Sequence, residues 1–297
     1  MKERIYIIPN RFGLMYGFGV IVTLVAGTIY SNNLVYLLCF FLVALFVIGM
    51  VQTNSNLRGI EFEKLQIPLV EEDSLGSSVL WLKSRNKEDH HQLQIRLMEE
   101  NHEHKFIADK ISAKTLTPIR FGIQAQDRGK KKLFKMHVST VFPFGLFYAW
   151  RVFPIEIYYD VYPKPMGRRE LPEAQMIGEA FQVDLGNTGD DYSQHIKYQP
   201  GHSQRHIDWK AYARGRPLLV KEFTDGDRSS YQISLEQTNG MLLERLRQMS
   251  LWVHICEQKK VAYSFQLAQK SIPPGMGLHQ RNVCLKALAE FDGGSVA

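Results

Sequence analysis

Between Phe12 and Gln52 the sequence has no charged side chain, although 22% of the 297 residues are Asp, Glu, Lys or Arg. A soluble helical stretch of that length needs a polar stripe to face water, so the absence excludes an ordinary surface helix. Cysteine is scarce as well. Cys39, Cys256 and Cys284 are odd in number and scattered, which gives no disulfide framework and fits a reducing compartment. No C-x-x-C is present to suggest zinc or redox chemistry. No G-x-x-x-x-G-K-[ST] or strand-linked G-x-G-x-x-G is present to cradle a nucleotide, and no Ser or Cys stands in a nucleophile elbow. Beyond Lys130, Lys131 and Lys132 there is no concentrated positive block, which excludes a general nucleic-acid binder.

What is present begins with two apolar runs, Leu14 to Tyr30 and Leu34 to Val51, separated only by Ser31, Asn32 and Asn33. A helix rises about 1.5 Å per residue, so each run with its uncharged flanks covers a hydrocarbon core of about 30 Å. The expected anchor is a tight hairpin with spans at about 12–30 and 34–52, within an N-terminal segment 1–56. A buried hairpin of a soluble domain is the alternative, and it lacks the polar stripe it would need. No small-residue cleavage site divides the first run from the rest, so a removable signal peptide is not expected. Lys2, Arg4 and Arg11 precede the first run, Arg58 and Lys64 follow the second, and the turn is uncharged. The positive-inside rule then predicts both ends in the cytoplasm. Gly13 and Gly17 form a G-x-x-x-G that can bring helices together, as in a homo-oligomer. Without residues 1–52 the chain keeps 33 basic and 29 acidic residues, a nearly balanced remainder.

From 57 to 165 the hydrophobic period changes to two. Ile60 and Phe62, then Leu93, Ile95 and Leu97, then Ile119, Phe121 and Ile123, then Phe134, Met136 and Val138 alternate with polar residues. Turn residues at Glu72-Asp73-Ser74, Arg85-Asn86-Lys87 and Asp127-Arg128-Gly129 punctuate these strands. The pattern predicts an antiparallel, immunoglobulin-like β-sandwich. Val141 to Tyr148, an aromatic cluster around a Pro and a Gly, reads as a turn packed on the sandwich end or as a docking patch. His102 and His104 are expected on one exposed face without a third metal ligand.

Residues 166–297 alternate strands with helices. Strands are expected at Leu218–Phe223, Tyr231–Leu235 and Ala262–Ala268, and helices at Met241–Cys256 and Leu278–Phe291. That alternation predicts a small α/β layer with a parallel sheet.

Six short motifs carry a family resemblance: Arg128-Gly129, Pro143-Phe144-Gly145-Leu146-Phe147, Val161-Tyr162-Pro163, Tyr198-Gln199-Pro200-Gly201, Ile207-Asp208-Trp209-Lys210-Ala211 and Leu218-Leu219-Val220-Lys221-Glu222-Phe223. Their order resembles the bacterial domain-of-unknown-function family fifty-eight over nearly the whole chain. The resemblance implies a protein of the bacterial inner membrane with cytoplasmic domains, the last similar to part of a von Willebrand factor A domain. It also implies partnership with a MoxR-type AAA+ ATPase and, in some bacteria, a transglutaminase-like membrane protein. It implies no known reaction and no cofactor. A full von Willebrand A domain holds a divalent cation through Asp-x-Ser-x-Ser. Here the corresponding stretch is Ser234 to Gly240, with Glu236 a methylene longer than Asp and no hydroxyl at Gly240, so no metal is expected.

The polar stretch 190–228 admits several functions. Tyr198, Pro200, Gly201, Arg205, Asp208, Trp209, Lys210, Lys221 and Glu222 are the candidate partner-binding or family-motif residues. Seven basic and six acidic side chains in this stretch fit an internally paired loop, and Trp209, Tyr212 and several arginines have the composition of an interaction hot spot. His195, His202, His206 and Asp208 leave open a hydrolase or metal-dependent binding protein. The expected function is a non-enzymatic adaptor or scaffold.

Overall fold

The structure, a computed structural model, describes residues 4–176, 192–197, 219–223, 229–268 and 270–293. Two compact units divide the chain, one over Met1–Lys164 with Ala289–Phe291 and the other over Pro165–Leu288 with Asp292–Ala297.

In the first unit the apolar runs form helices α1 (Arg11–Tyr30) and α2 (Asn33–Ser55), each long and apolar enough to cross a membrane. Asparagine starts both. Asn10 Oδ1 accepts from the Gly13 amide at 2.9 Å, and Asn32 Oδ1 accepts from the Leu34 amide at 2.9 Å, satisfying amides that a helix start leaves unpaired. Between the helices Ser31 takes the left-handed conformation and its amide bonds the Gly27 carbonyl, so two residues reverse the chain. Gly27 lets the ring of Tyr36 approach, and lower in the pair Tyr16 stacks on Phe46 at 5.8 Å. Only 11% of each helix's apolar window is buried. A helical hairpin serving as a soluble core would be mostly covered, whereas these helices leave most of their apolar side chains exposed.

The strands of this unit are β1 (Tyr6–Pro9), β2 (Ile60–Gln66), β3 (Val70–Glu71), β4 (Leu75–Ser84), β5 (His90–Glu99), β6 (Glu103–Ile111), β7 (Leu116–Gln124), β8 (Gly129–Thr140) and β9 (Phe147–Tyr162). Among the described residues they make a sheet ordered β1-β9-β8-β5-β6, with β3 also on β9, and a second sheet ordered β2-β4-β7. Pairing is antiparallel except for β3 with β9. One core cluster joins the two sheets: Leu80, Leu82, Ile119, Phe121 and Ile123 from one meet Leu93, Ile95, Leu97, Met136 and Val138 from the other. Phe106 and Phe121 stack at 4.0 Å within it. Alternation on β5 and β7 is as the sequence predicts, but β8 departs from it. A register shift between Leu133 and Lys135 turns Leu133 inward and leaves Phe134 42% exposed, because an inserted residue reverses which face its neighbours occupy. His104 also departs from expectation. It is buried, and its Nε2 lies 3.3 Å from Glu99 Oε2.

The second unit holds β10 (Ala174–Met176), β11 (Tyr192–Lys197), β12 (Leu219–Phe223), β13 (Ser229–Ser234), β14 (Tyr263–Leu267) and β15 (Lys270–Gly275). Its helices are α3 (Leu242–Lys259) and α4 (Gly277–Glu290). The sheet ordered β10-β13-β14-β15 is mixed: only β13 and β14 run parallel, while β10 and β15 are antiparallel edges. The strand and helix alternation predicts the central parallel pair but not these edges, because β15 contains Pro273 and Pro274, which read as loop. α3 buries Leu246, Met249, Trp252, Val253 and Cys256, a stripe at helical spacing.

Candidate functional site

The first unit's polar chemistry is concentrated where the hairpin meets the sandwich. Asn10, which starts α1, donates its amide N–H to the Leu146 carbonyl at 2.9 Å and its Nδ2–H to the Gly145 carbonyl at 2.5 Å. A Cβ at Gly13 would overlap the Leu146 carbonyl oxygen, so this position admits only glycine without displacement. Just before Asn10, β1 pairs with the first residues of β9, from Pro9 opposite Phe147 to Tyr6 opposite Trp150. The segment Val141 to Tyr148, read in the sequence as a turn on the sandwich end or as a docking patch, packs on the helices. Phe147 meets Phe46 with ring centres 4.7 Å apart, and a Cβ at Gly49 would stand 3.1 Å from Phe144 Cδ2.

The end of α2 is held by a second clamp. Asn56 Nδ2 donates to the His91 carbonyl and to Thr140 Oγ1, while Asn56 Oδ1 accepts from the His91 amide. Next to it the ring of His90 is buried, with Nδ1 2.8 Å from the Asn56 carbonyl and Nε2 2.7 Å from Ser84 Oγ. A carbonyl only accepts, so Nδ1 carries the proton and Nε2 accepts from the Ser84 hydroxyl. Burial pulls the His90 pKa below its ordinary value, against the bond to Asn56 and the nearby Asp89 and Glu88, which favour the charged form. A cleft of about 420 Å³ opens here, lined in part by Gln52, Ser55, Glu88, Asp89, His91 and Phe142.

Glu99, His104 and Tyr159 of this unit are engaged with one another. Glu99 Oε2 takes hydrogen bonds from Tyr159 Oη at 2.8 Å and from His104. Burial, the largest single influence, would raise the Glu99 pKa, but those two bonds together with the nearby charges of Lys131 and His104 lower it.

In the second unit the stretch Ser234 to Gly240 is engaged by an arginine. Thr238 Oγ1 donates to the Leu235 carbonyl at 2.6 Å; Arg245 Nε donates to Thr238 Oγ1 at 3.1 Å and Arg245 Nη2 to the Leu235 carbonyl at 2.7 Å. Glu236 points to solvent, and no group of three or more His, Cys, Asp or Glu side chains suited to a metal occurs among the described residues. The donor set present does not fit a divalent ion: a fixed positive charge already saturates its oxygens. Gln248 grips Arg169 in both directions, accepting from its amide and donating to its carbonyl at 3.0 Å each, and Trp252 Nε1 donates to the same carbonyl.

Of the sequence-predicted site residues, Lys221 and Glu222 lie on β12, paired with His195 and Gln194 of β11. Tyr198, Pro200, Gly201, Arg205, Asp208, Trp209 and Lys210 lie outside the described residues. The clamp residues Asn10 and Asn56 were not singled out in the sequence, and the neighbours His90-His91 drew attention only as a metal pair, a reading the sequence does not favour. The local signal is an Asn two residues before Phe12 and another four residues after Gln52. No family model matches the chain, and no curated protein matches it.

Proposed function

We propose that this protein is a membrane-anchored, non-enzymatic adaptor or scaffold of a bacterial inner membrane. It presents its sandwich and α/β units on the cytoplasmic side to a MoxR-type AAA+ ATPase, in envelope protein assembly or maturation. The observation that carries this reading is the hairpin itself: two apolar helices exposed along their length and fixed at one end, through Asn10 and Asn56, to a folded sandwich. Such a joint holds a presented surface at a set height and orientation. The charges before α1 and after α2 support the cytoplasmic orientation. The ATPase, and a transglutaminase-like membrane protein as a further partner, rest on the motif resemblance. Against a hydrolytic role weigh the engaged states of His90, His104 and Thr238, each bonded inside the fold.

The test is affinity capture of the full chain from detergent-solubilised membranes, with the MoxR-type ATPase of the same genome co-expressed. Recovery of the ATPase, lost in Trp209→Ala with Lys210→Ala, is the expected result. A chain that recovers no ATPase, or a periplasmically active phosphatase fused after residue 297, defeats the proposal.

A further inference from the structure

The hairpin is uncharged, and so are two other segments, 5–10 and 141–150. They lie far apart in sequence, yet the structure pairs them through β1 and β9. Their side chains are not hidden by that pairing. Tyr6 and Ile8 are 49% and 50% exposed, Val141 and Phe144 42% and 50%, and beside them on α1 Phe12 and Met15 are 71% and 70% exposed. An apolar surface therefore extends from the helices onto the sandwich edge, with the exposed Arg11 at the start of α1 as the charge between segment 5–10 and the hairpin. Surfaces of this kind on water-soluble proteins mark a binding partner, and here the partner is fixed by what the surface adjoins.

Depth can be read from the helices. Phe144 packs against Gly49, three residues before Gln52, the first polar residue after the apolar run of α2. At 1.5 Å per residue that is about 4.5 Å on the apolar side of Gln52. On α1 the Leu146 carbonyl abuts Gly13, about 3 Å past Arg11, whose long side chain can reach a phosphate while its stem lies against apolar groups. The turn is thus level with the apolar ends of both helices. One step further from them, Tyr148, Trp150 and Tyr6 form a ladder, with ring centres 5.5 Å apart for Tyr148 and Trp150 and 5.4 Å for Trp150 and Tyr6. Aromatic rings with a polar edge are the side chains that favour the headgroup layer.

We infer that the sandwich is itself seated in the lipid: Val141 and Phe144 enter the boundary between acyl chains and headgroups in the leaflet where α1 begins and α2 ends, and Tyr6, Tyr148 and Trp150 lie in the headgroup layer. This rests on the membrane-anchored reading. The sandwich is then a half-immersed body whose edge shares the bilayer with its anchor, and its position is set by lipid as well as by the Asn10 and Asn56 clamps.

Spin labels placed on the full chain in vesicles of phosphatidylethanolamine and phosphatidylglycerol test it. Phe144→Cys and Val141→Cys report the turn, Leu38→Cys the apolar run of α2, and Asn101→Cys the turn between β5 and β6, at the opposite end of the strands from the Asn56 clamp. The three native thiols are buried and stay unlabelled. Labels at 141 and 144 are expected to collide more with oxygen than with a water-soluble nickel chelate, as at 38, with the ratio reversed at 101. Nickel access at 141 and 144 with a lipid signature at 38 overturns the seat and leaves the anchor. Nickel access at 38 overturns the anchor and the seat with it. Shielding from both reagents at 141 and 144 assigns the surface to a second copy or another protein and also overturns the seat. Val141→Cys is the safeguard should Phe144→Cys disturb the packing on Gly49.

Discussion

Asn56 and His91 are bonded to each other twice, Asn56 Nδ2 to the His91 carbonyl and the His91 amide to Asn56 Oδ1, both at 2.8 Å. The side-chain amide acts as an additional strand residue at the start of β5. Its geometry makes the first prediction. Asn56→Ala leaves the His91 amide, the His91 carbonyl and Thr140 without this partner, which costs about 2–4 kcal/mol. Asn56→Asp keeps the acceptor and loses the donor, and is expected to fall between. Denaturant midpoints in detergent micelles give the order wild type, Asp, Ala.

His90 is neutral in the fold and its pKa is lowered, chiefly by burial. The unfolded chain, with an ordinary histidine pKa of about 6.5, therefore binds the proton first. The contribution of His90 is full above that value and is lost as pH falls from there toward the lowered folded value. His137 is also lowered, by burial and then by Arg96, and works in the same direction. Subtracting the profile of His90→Asn from that of wild type isolates the His90 part. Unfolding midpoints measured from neutral to mildly acidic pH are expected to converge as pH falls.

Gly13 and Gly17 belong to one G-x-x-x-G but have different surroundings. A Cβ at Gly13 runs into the Leu146 carbonyl, while one at Gly17 meets nothing within 4 Å. Gly13→Ala is expected to cost about 1–3 kcal/mol by forcing the turn away from α1. Gly17→Leu is expected to leave the midpoint within about 0.5 kcal/mol. Cross-linking of Gly17→Leu in membranes shows separately whether that open face joins two copies.

Arg245 holds the hydroxyl and carbonyl that a cation would otherwise take. Arg245→Met is expected to destabilise the second unit by about 1.5–3 kcal/mol, the range for hydrogen bonds to a charged group. Calorimetric titration of wild type with Mg²⁺, Mn²⁺ or Zn²⁺ is expected to give no saturable heat. Saturable binding lost in His202→Ala and His206→Ala would instead favour the hydrolase or metal-dependent alternative.

Burial pushes the thiols of Cys256 and Cys284 up to about 12. At neutral pH only about one in 10⁵ is then thiolate. Maleimide is expected to label neither until the protein is denatured, as followed by mass.

The hairpin was legible because lack of charge over two runs is a global signal that no local conflict obscures. Strands β5 and β7 were legible because Leu93, Ile95 and Leu97, or Ile119, Phe121 and Ile123, keep strict alternation. Phe134 was misplaced because a one-residue bulge leaves composition unchanged and reverses direction. Asn56 escaped notice because its partner begins 35 residues later and an amide shows no preference for one such contact over another. His104 was expected on the surface because its neighbours are charged, whereas Glu99 and Tyr159 provide it with a polar site inside. The loop motifs around Trp209 were legible only as composition and family likeness.

The pairing of Pro9 with Phe147 sets a timetable for biosynthesis. A ribosome adding about 5–20 residues per second needs roughly 7–28 s to reach Phe147 after making Pro9. Throughout that interval β1 has no β9 to pair with, while both apolar helices are made in its first third. The hairpin is therefore finished before the sandwich can close, and β9, made last of the nine strands in this unit, is the one that pairs with the first.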